Sequence, residues 1–292
     1  SDLGVSGSSR RRSPEKIAMT DAARLADSLA SVLDGIGKVA VAVSGGVDST
    51  TLATLAHRRL GTRAKMMHAV SPAVPPEATE RVRALAASEG WHLDILDAGE
   101  FEDPRYRANP ANRCFYCKTN LYARIQPIAA AAGAVTLSGT NRDDLSDWRP
   151  GLKAAEDHGV RHPYVEAGID KASVRAIARY LDLGEIAELP ASPCLSSRIE
   201  TGIAIDPDEL GLVHEVETFV GARLRAPTVR CRLRRTGLVV ELDEASLDRL
   251  APAERDELTA AVAGIARTRG GERPVSFKAY RMGSAFLRPA GS

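Results

Sequence analysis

The sequence predicts an α/β protein: a mainly parallel sheet flanked by helices, followed by a smaller α+β domain. Three observations carry this. Short valine-rich apolar runs alternate with amphipathic stretches as far as about residue 184. The first run, Val39-Ala-Val-Ala-Val43, is uninterrupted, as suits a strand buried on both faces of a parallel sheet. Beyond about Gly202 the rhythm changes to helix, hairpin, helix and strand. At 292 residues the chain suggests two domains, and a hydrophobic content of 44% is ample for packed cores.

Taken in order, residues 1–15 read as an unstructured tail, with Arg10-Arg-Arg12 among serines and glycines. Helical spacing of Ala22, Leu25, Leu29, Val32 and Leu33 predicts a helix over 20–33 that stops at Asp34-Gly35. The 39–43 strand leads through Ser44-Gly-Gly-Val-Asp-Ser-Thr50 into a helix carrying Leu52 and Leu55. Strands are expected at 64–70, 91–96 and 134–138, with helices at 77–88, 119–132, 151–158 and 171–181. The segment 100–113, rich in proline, arginine and asparagine, breaks the alternation, and the irregular loop it starts continues through Arg113-Cys-x-x-Cys-Lys118. Residues 186–200 form a second irregular connection containing Cys194. In the second domain, Asp206-Pro-Asp-Glu209 is a capping signature for a helix to about Val220. A hairpin turns at Thr236-Gly237, a helical stretch spans 243–267, and a last strand covers 274–280. The expected boundaries are therefore a tail at 1–15, a first domain at 16–200 and a second at 201–292. The second is expected to serve substrate binding and oligomerisation, with the chain acting as a homo-oligomer.

The net charge of +1 offers no global attraction for nucleic acid. No apolar stretch approaches the ~20 residues of a membrane span. Four cysteines, two of them in a CxxC, suit a cytoplasmic metal or redox site better than a disulfide framework.

A strand, a Ser/Gly loop and a helix N-terminus gather unpaired backbone N–H groups around one point, with the helix dipole behind them. That point attracts phosphate. The loop lacks the Gly-Lys-Ser/Thr of a Walker motif. SGGVDST instead resembles the PP-loop of the N-type ATP pyrophosphatases, which cleave ATP between the α- and β-phosphates and adenylate a carbonyl or carboxyl oxygen. Ser44, Gly45, Gly46, Ser49 and Thr50 are the candidate phosphate ligands. Asp48 is assigned to Mg²⁺ or to holding the loop, against the plainer reading of a first-turn aspartate. Asp143 and Asp144 follow a strand end on the same sheet edge. They position nucleotide or metal, or else cap the next segment.

Further motifs accompany the loop: RCxxCK at 113–118, Gly139-Thr-Asn-Arg-Asp-Asp144 running on to Gly151, Pro193-Cys-Leu-Ser-Ser-Arg198 and Tyr280-Arg-Met-Gly-Ser284. Together they resemble the LarE-type ATP-dependent sulfurtransferases over residues 20–287. The resemblance implies ATP-driven conversion of the carboxylates of a pyridinium biscarboxylate mononucleotide to thiocarboxylates, for a nickel-pincer nucleotide cofactor. Sulfide or another sulfur donor is then a partner. Cys114, Cys117 and Cys194 would be three ligands of a [4Fe–4S] cluster with one open iron. In relatives without the CxxC, the cysteine matching Cys194 gives up its own sulfur. Zinc and a dithiol redox pair are the competing readings of the cysteines. Strand periodicity puts Arg230, Arg232 and Arg234 on one face and Cys231 on the other, in the core. Under the resemblance Arg230 and Arg232 grip the substrate phosphate, with Arg198 a further candidate; a solvated basic edge strand is the alternative. A tRNA-thiolating enzyme, an amide-forming synthetase and a nucleotide-binding regulator without turnover are the competing functions.

Overall fold

The computed structural model describes residues 14–146, 150–191, 193–269 and 271–287. Positions 1–13 of the expected tail and Asp147-Trp148-Arg149 of the 139–151 motif lie outside the described residues.

The chain opens with α1 (Pro14–Ile36), which starts earlier than its apolar spacing suggests and takes in the last two residues of the expected tail. Then follow β1 (Val39–Ala42), α2 (Val47–Leu60), β2 (Ala64–Val70), α3 (Pro76–Glu89) and β3 (His92–Asp97). After a short α4 (Pro104–Arg107) come α5 (Arg113–Ala131) and β4 (Val135–Leu137). Next are α6 (Pro150–Asp157), α7 (Pro163–Glu166) and α8 (Lys171–Tyr180). The four strands form a parallel sheet in the order β3-β2-β1-β4. Leu29, Leu33, Val39, Val41, Leu52, Tyr164, Val174 and Ile177 fill the core where α1, α2 and α8 cover one face. On the other face Ala40 and Met67 pack on Ile125 and Ala129 of α5.

The remainder is α9 (Pro207–Leu224), β5 (Val229–Arg234), β6 (Gly237–Leu242), α10 (Glu244–Asp248), α11 (Pro252–Thr268) and β7 (Val275–Ala279). Asp206 caps α9 by accepting from Asp208 N at 2.9 Å. The expected 243–267 helix is two helices, because Pro252 cannot continue α10 and instead opens α11 at its first turn. β6 lies centrally, antiparallel to β5 and parallel to β7, and all six of its residues are buried. Cys231 and Leu233 join Val213, Val216, Val240 and Val262 in this second core, as the period of two requires. Ala73, Tyr106, Leu195 and Ile199 pack into the same cluster, so the first part of the chain is fastened to the second by shared apolar burial. Among the described residues no helix is long and apolar enough to cross a membrane.

Candidate active site

β1 is flanked by β2 on one side and β4 on the other, so the strand order reverses between β1 and β4. Open α/β sheets hold ligands in the crevice at such a switch point, beyond the strand C-termini. A cleft of about 800 Å³ lies there, lined by Ser44, Asp48 and Ser49 after β1 and by Ser138, Gly139 and Thr140 after β4.

The loop at the end of β1 is tightly folded. Ser49 Oγ accepts from Ser44 N at 3.0 Å and lies 3.0 Å from Ser44 Oγ. Gly45 has φ +82°, and a Cβ there would sit 2.7 Å from Ala78 O, so no side chain is tolerated. Arg81 donates to Gly45 O at 2.8 Å and braces the loop from α3. Thr50 N makes the first i−4 bond of α2, to Gly46 O, which leaves the amides of Val47, Asp48 and Ser49 ahead of it as orphan donors. Thr50 itself is buried, with its hydroxyl unpartnered among the described residues.

Gly139 closes the floor. A Cβ on it would meet Ser49 N at 2.8 Å and Ser49 Cα at 2.9 Å. Gly139→Ala is expected to push the phosphate loop out of register and weaken ATP binding at least tenfold, measured by calorimetric titration. Unchanged affinity would mean that the loop has room to give.

Asp48 faces inward from the first turn of α2. Its Oδ1 accepts from Asn141 Nδ2 at 3.1 Å, and its Oδ2 pairs with Lys171 Nζ. The carboxylate therefore ties α2 to the loop after β4 and to α8. Asp144 accepts from Asn141 N at 3.0 Å, and Asp143 accepts from Lys171 N at 3.1 Å. The Asp143 bond thus reaches the first residue of α8.

Under the loop, His68 is fully buried. Nδ1–H donates to Val43 O at 2.8 Å, and Nε2 accepts from Thr79 Oγ1 at 2.9 Å. Burial lowers its pKa from the ordinary 6.5. Protonation thus favours the unfolded chain: this stability is complete above the ordinary pKa and drains as pH falls through and below it. Denaturant midpoints are expected to drop on acidification from neutrality, and His68→Gln is expected to flatten that slope. An unchanged slope in the variant would contradict this role.

The same cleft carries thiols. Cys114 and Cys117 do not lie in an irregular loop; they are the second and fifth residues of α5, which starts six residues earlier than expected. Spacing of three puts both thiols on one helix face. Cys114 and Cys194 line the cleft, while Cys117 packs behind them against the second core with Cys194. Burial raises the Cys114 and Cys117 pKa values, and Cys194 adds to both. Lys118 also lines the cleft, 5.9 Å from the Tyr122 ring centroid. Tyr122, and after it the three cysteines, raise its pKa and keep it cationic. Gly151 lets α6 approach, since a Cβ there would lie 3.1 Å from Lys118 Cγ.

What brings Cys194 to the CxxC is the 104–113 segment. Asn109, fully buried at φ +52°, donates to Glu200 O and Ile203 O at 2.9 Å each and accepts from Arg113. Tyr106 OH and Ser196 Oγ are 2.5 Å apart. Arg113 stacks 5.5 Å from the Phe286 ring centroid, which places 282–286 on the cleft rim.

The arginines divide. Arg198 chelates Glu217 (2.9 and 3.0 Å) and donates to Pro193 O at 2.7 Å and Cys194 O at 3.3 Å. Burial opposes its charge, but the Glu217 bonds outweigh that and raise its pKa. It fixes the Cys194 turn rather than offering a free cation. Arg232 is likewise buried on Glu241 at 3.0 Å, and Glu241 also accepts from Ser284 Oγ at 2.5 Å. Arg230 differs: among the described residues it bonds only carbonyls, those of Val229 and Ala191. Burial, then the Arg198 charge, lowers its pKa. An anion would relieve both.

No protein-family model matches the chain. A 217-residue stretch is 38% identical to an uncharacterised protein of Synechocystis, covering 74% of this chain and 80% of the relative. Over 222 residues it is 32% identical to the pyridinium-3,5-bisthiocarboxylic acid mononucleotide synthase of Lactiplantibacillus plantarum, covering 75% and 80%. The chain belongs to this synthase family. The likeness extends further, since a GMP synthase component from Methanopyrus kandleri is 29% identical over 64% of this chain and 63% of its own length. In this synthase-family chain the sequence left Arg113, Lys118, Asn141 and Lys171 without roles. Arg113 and Lys118 flank the CxxC, a signal that could have marked them. Lys171 stands far from Asp48 in the chain and gives no local cue.

Among the described residues no three His, Cys, Asp or Glu side chains stand close enough to hold a metal ion. The expected three-cysteine ligand set is therefore not gathered in the structure: Cys114 and Cys194 line one cleft beside the cationic Lys118, and Cys117 packs behind them.

Proposed function

We propose that the protein is an ATP-dependent sulfurtransferase that converts the carboxylates of a pyridinium biscarboxylate mononucleotide to thiocarboxylates, releasing AMP and pyrophosphate. The observation that carries this is a single cleft lined both by Ser44, Asp48 and Ser49 of the loop and by Cys114 and Cys194. A carboxylate is a poor electrophile, and adenylation gives it a leaving group. Ser44, Gly45, Gly46, Ser49 and Thr50, with the α2 N-terminus, hold the phosphates, and Asp48, Asp143 and Asp144 are the candidates to position the nucleotide or its Mg²⁺. Residues 16–200 supply this half. Arg230, from 201–292, meets the substrate phosphate, while Arg232 and Arg198 shape its surroundings through Glu241 and Glu217. Lys118 holds the substrate carboxylate or the attacking sulfur by its charge. A [4Fe–4S] cluster on Cys114, Cys117 and Cys194 would supply sulfide there and leave the cysteine sulfurs in place. The sulfur donor, a homo-oligomeric state and a cytoplasmic setting complete the proposal.

Chromatography of the products tests it: AMP and pyrophosphate are expected, and ADP would overturn it. Asp48→Ala with Ser49→Ala should abolish turnover; an unchanged rate would remove the loop from the chemistry.

A further inference from the structure

Lys171 is a lysine delivered to the phosphate loop by a distant helix. It is the first residue of α8, a helix capped by Asp170, which accepts from Ser173 N at 2.8 Å. The turn before it is pinned to the loop after β4: Arg142 N donates to Ile169 O at 3.0 Å, and Asp143 accepts from Lys171 N at 3.1 Å. From this fixed root the side chain reaches Asp48 Oδ2, in the first turn of α2 and on the cleft wall. Its side chain is 33% exposed, against 28% for Asp48, so the pair is open to solvent and the ammonium can exchange partners. The loop itself contains no lysine. A phosphoryl-transfer site needs cationic charge on the departing phosphates, which the backbone amides alone supply only in part.

We propose that Lys171 is the catalytic cation of this loop, stored on Asp48 in the free protein and passed to the β- and γ-phosphates of ATP. This rests on the function proposed above. The carboxylate oxygen of the acceptor attacks Pα and forms the new O–Pα bond. The bond from Pα to the oxygen bridging to Pβ breaks, and its electron pair leaves on pyrophosphate. No proton moves: the ammonium of Lys171 keeps all of its own and donates hydrogen bonds to the departing group. Asp48 acts as its competitor, and the carboxylate is released for Mg²⁺ when the lysine departs. The charge-assisted contact is thus exchanged rather than created, so loop binding and release stay reversible.

The competition gives a readout that a merely structural ion pair would not. Binding of α,β-methylene-ATP, which cannot be cut at Pα, is measured in EDTA without divalent metal. Asp48→Asn frees the lysine and should tighten this metal-free binding about tenfold. Lys171→Met should weaken it about tenfold or more, and Lys171→Arg should keep most of it. The double variant should match Lys171→Met. If the pair only holds the loop together, Asp48→Asn weakens binding as Lys171→Met does, and the assignment is overturned. That arm stands even if Lys171→Met does not fold, and circular dichroism of each variant establishes folding. A folded wild type that binds no nucleotide, with or without Mg²⁺, would contradict the proposed function itself. Wild-type binding that neither substitution alters would contradict only the role of Lys171.

Discussion

Arg232→Ala is expected to lower the unfolding free energy by about 3–5 kcal/mol, because it leaves Glu241 as a buried carboxylate without its main counter-charge. Both side chains of the pair are at most 4% exposed. The same deletion frees the Arg281 carbonyl and Ser197 carbonyl that Arg232 bonds at 3.4 and 3.2 Å, so the cleft rim loosens as well. Arg230→Ala is the contrasting case. It removes a half-buried cation that among the described residues bonds only carbonyls, and burial already works against its charge. Its stability cost should stay under about 1 kcal/mol. Its loss should appear instead as roughly 1.5–3 kcal/mol weaker mononucleotide binding. Urea unfolding and calorimetric titration of the two variants separate the effects. Equal destabilisation by both, or equal binding of an analogue lacking phosphate to wild type, would contradict the division of labour.

Cys194→Ser is expected to cut thiocarboxylate formation by about 10³-fold or more while pyrophosphate release continues. The serine keeps the turn that Arg198 holds through Pro193 O and Cys194 O, so adenylation at the phosphate loop is left in place. Cys114→Ala and Cys117→Ala should produce the same split if all three thiols hold one cluster. The protein mass after anaerobic turnover with ATP, substrate and sulfide then distinguishes two sources of sulfur. Several product molecules per chain with Cys194 intact support the cluster. One product per chain, with Cys194 converted to dehydroalanine and no response to Cys114→Ala, would refute it.

The parts of this site that depend on neighbours in sequence were legible before the structure. The buried valine run, the glycine turn and the helix N-terminus lie within a dozen residues of one another, and short-range sterics and dipoles decide them. Asp206-Pro207 announced a cap for the same reason, and Thr236-Gly237 announced the hairpin, though its turn falls one residue earlier. The α5 start was hidden, because Pro110, Asn112 and the arginines of 100–113 read as loop while tertiary contacts through Asn109 fixed them otherwise. The arginines were placed on the correct strand face, but their partners were missed. Arg232 pairs with Val239 in the hairpin register, which makes Glu241 its diagonal neighbour on that face. The hairpin turns at Arg235-Thr236, one residue before the expected Thr236-Gly237, and counting back from that turn finds it. Glu217 on α9 and Lys171 on α8 offer no such count, since only packing brings them to Arg198 and Asp48.

The most direct test follows a carboxylate oxygen. Substrate carrying heavy oxygen in its carboxylates is turned over with ATP and a sulfur donor, and AMP and the mononucleotide are weighed by mass spectrometry. If the carboxylate is adenylated and sulfur then displaces AMP, each thiocarboxylate formed leaves one labelled oxygen on AMP. Label-free AMP, or ADP in its place, would contradict the account.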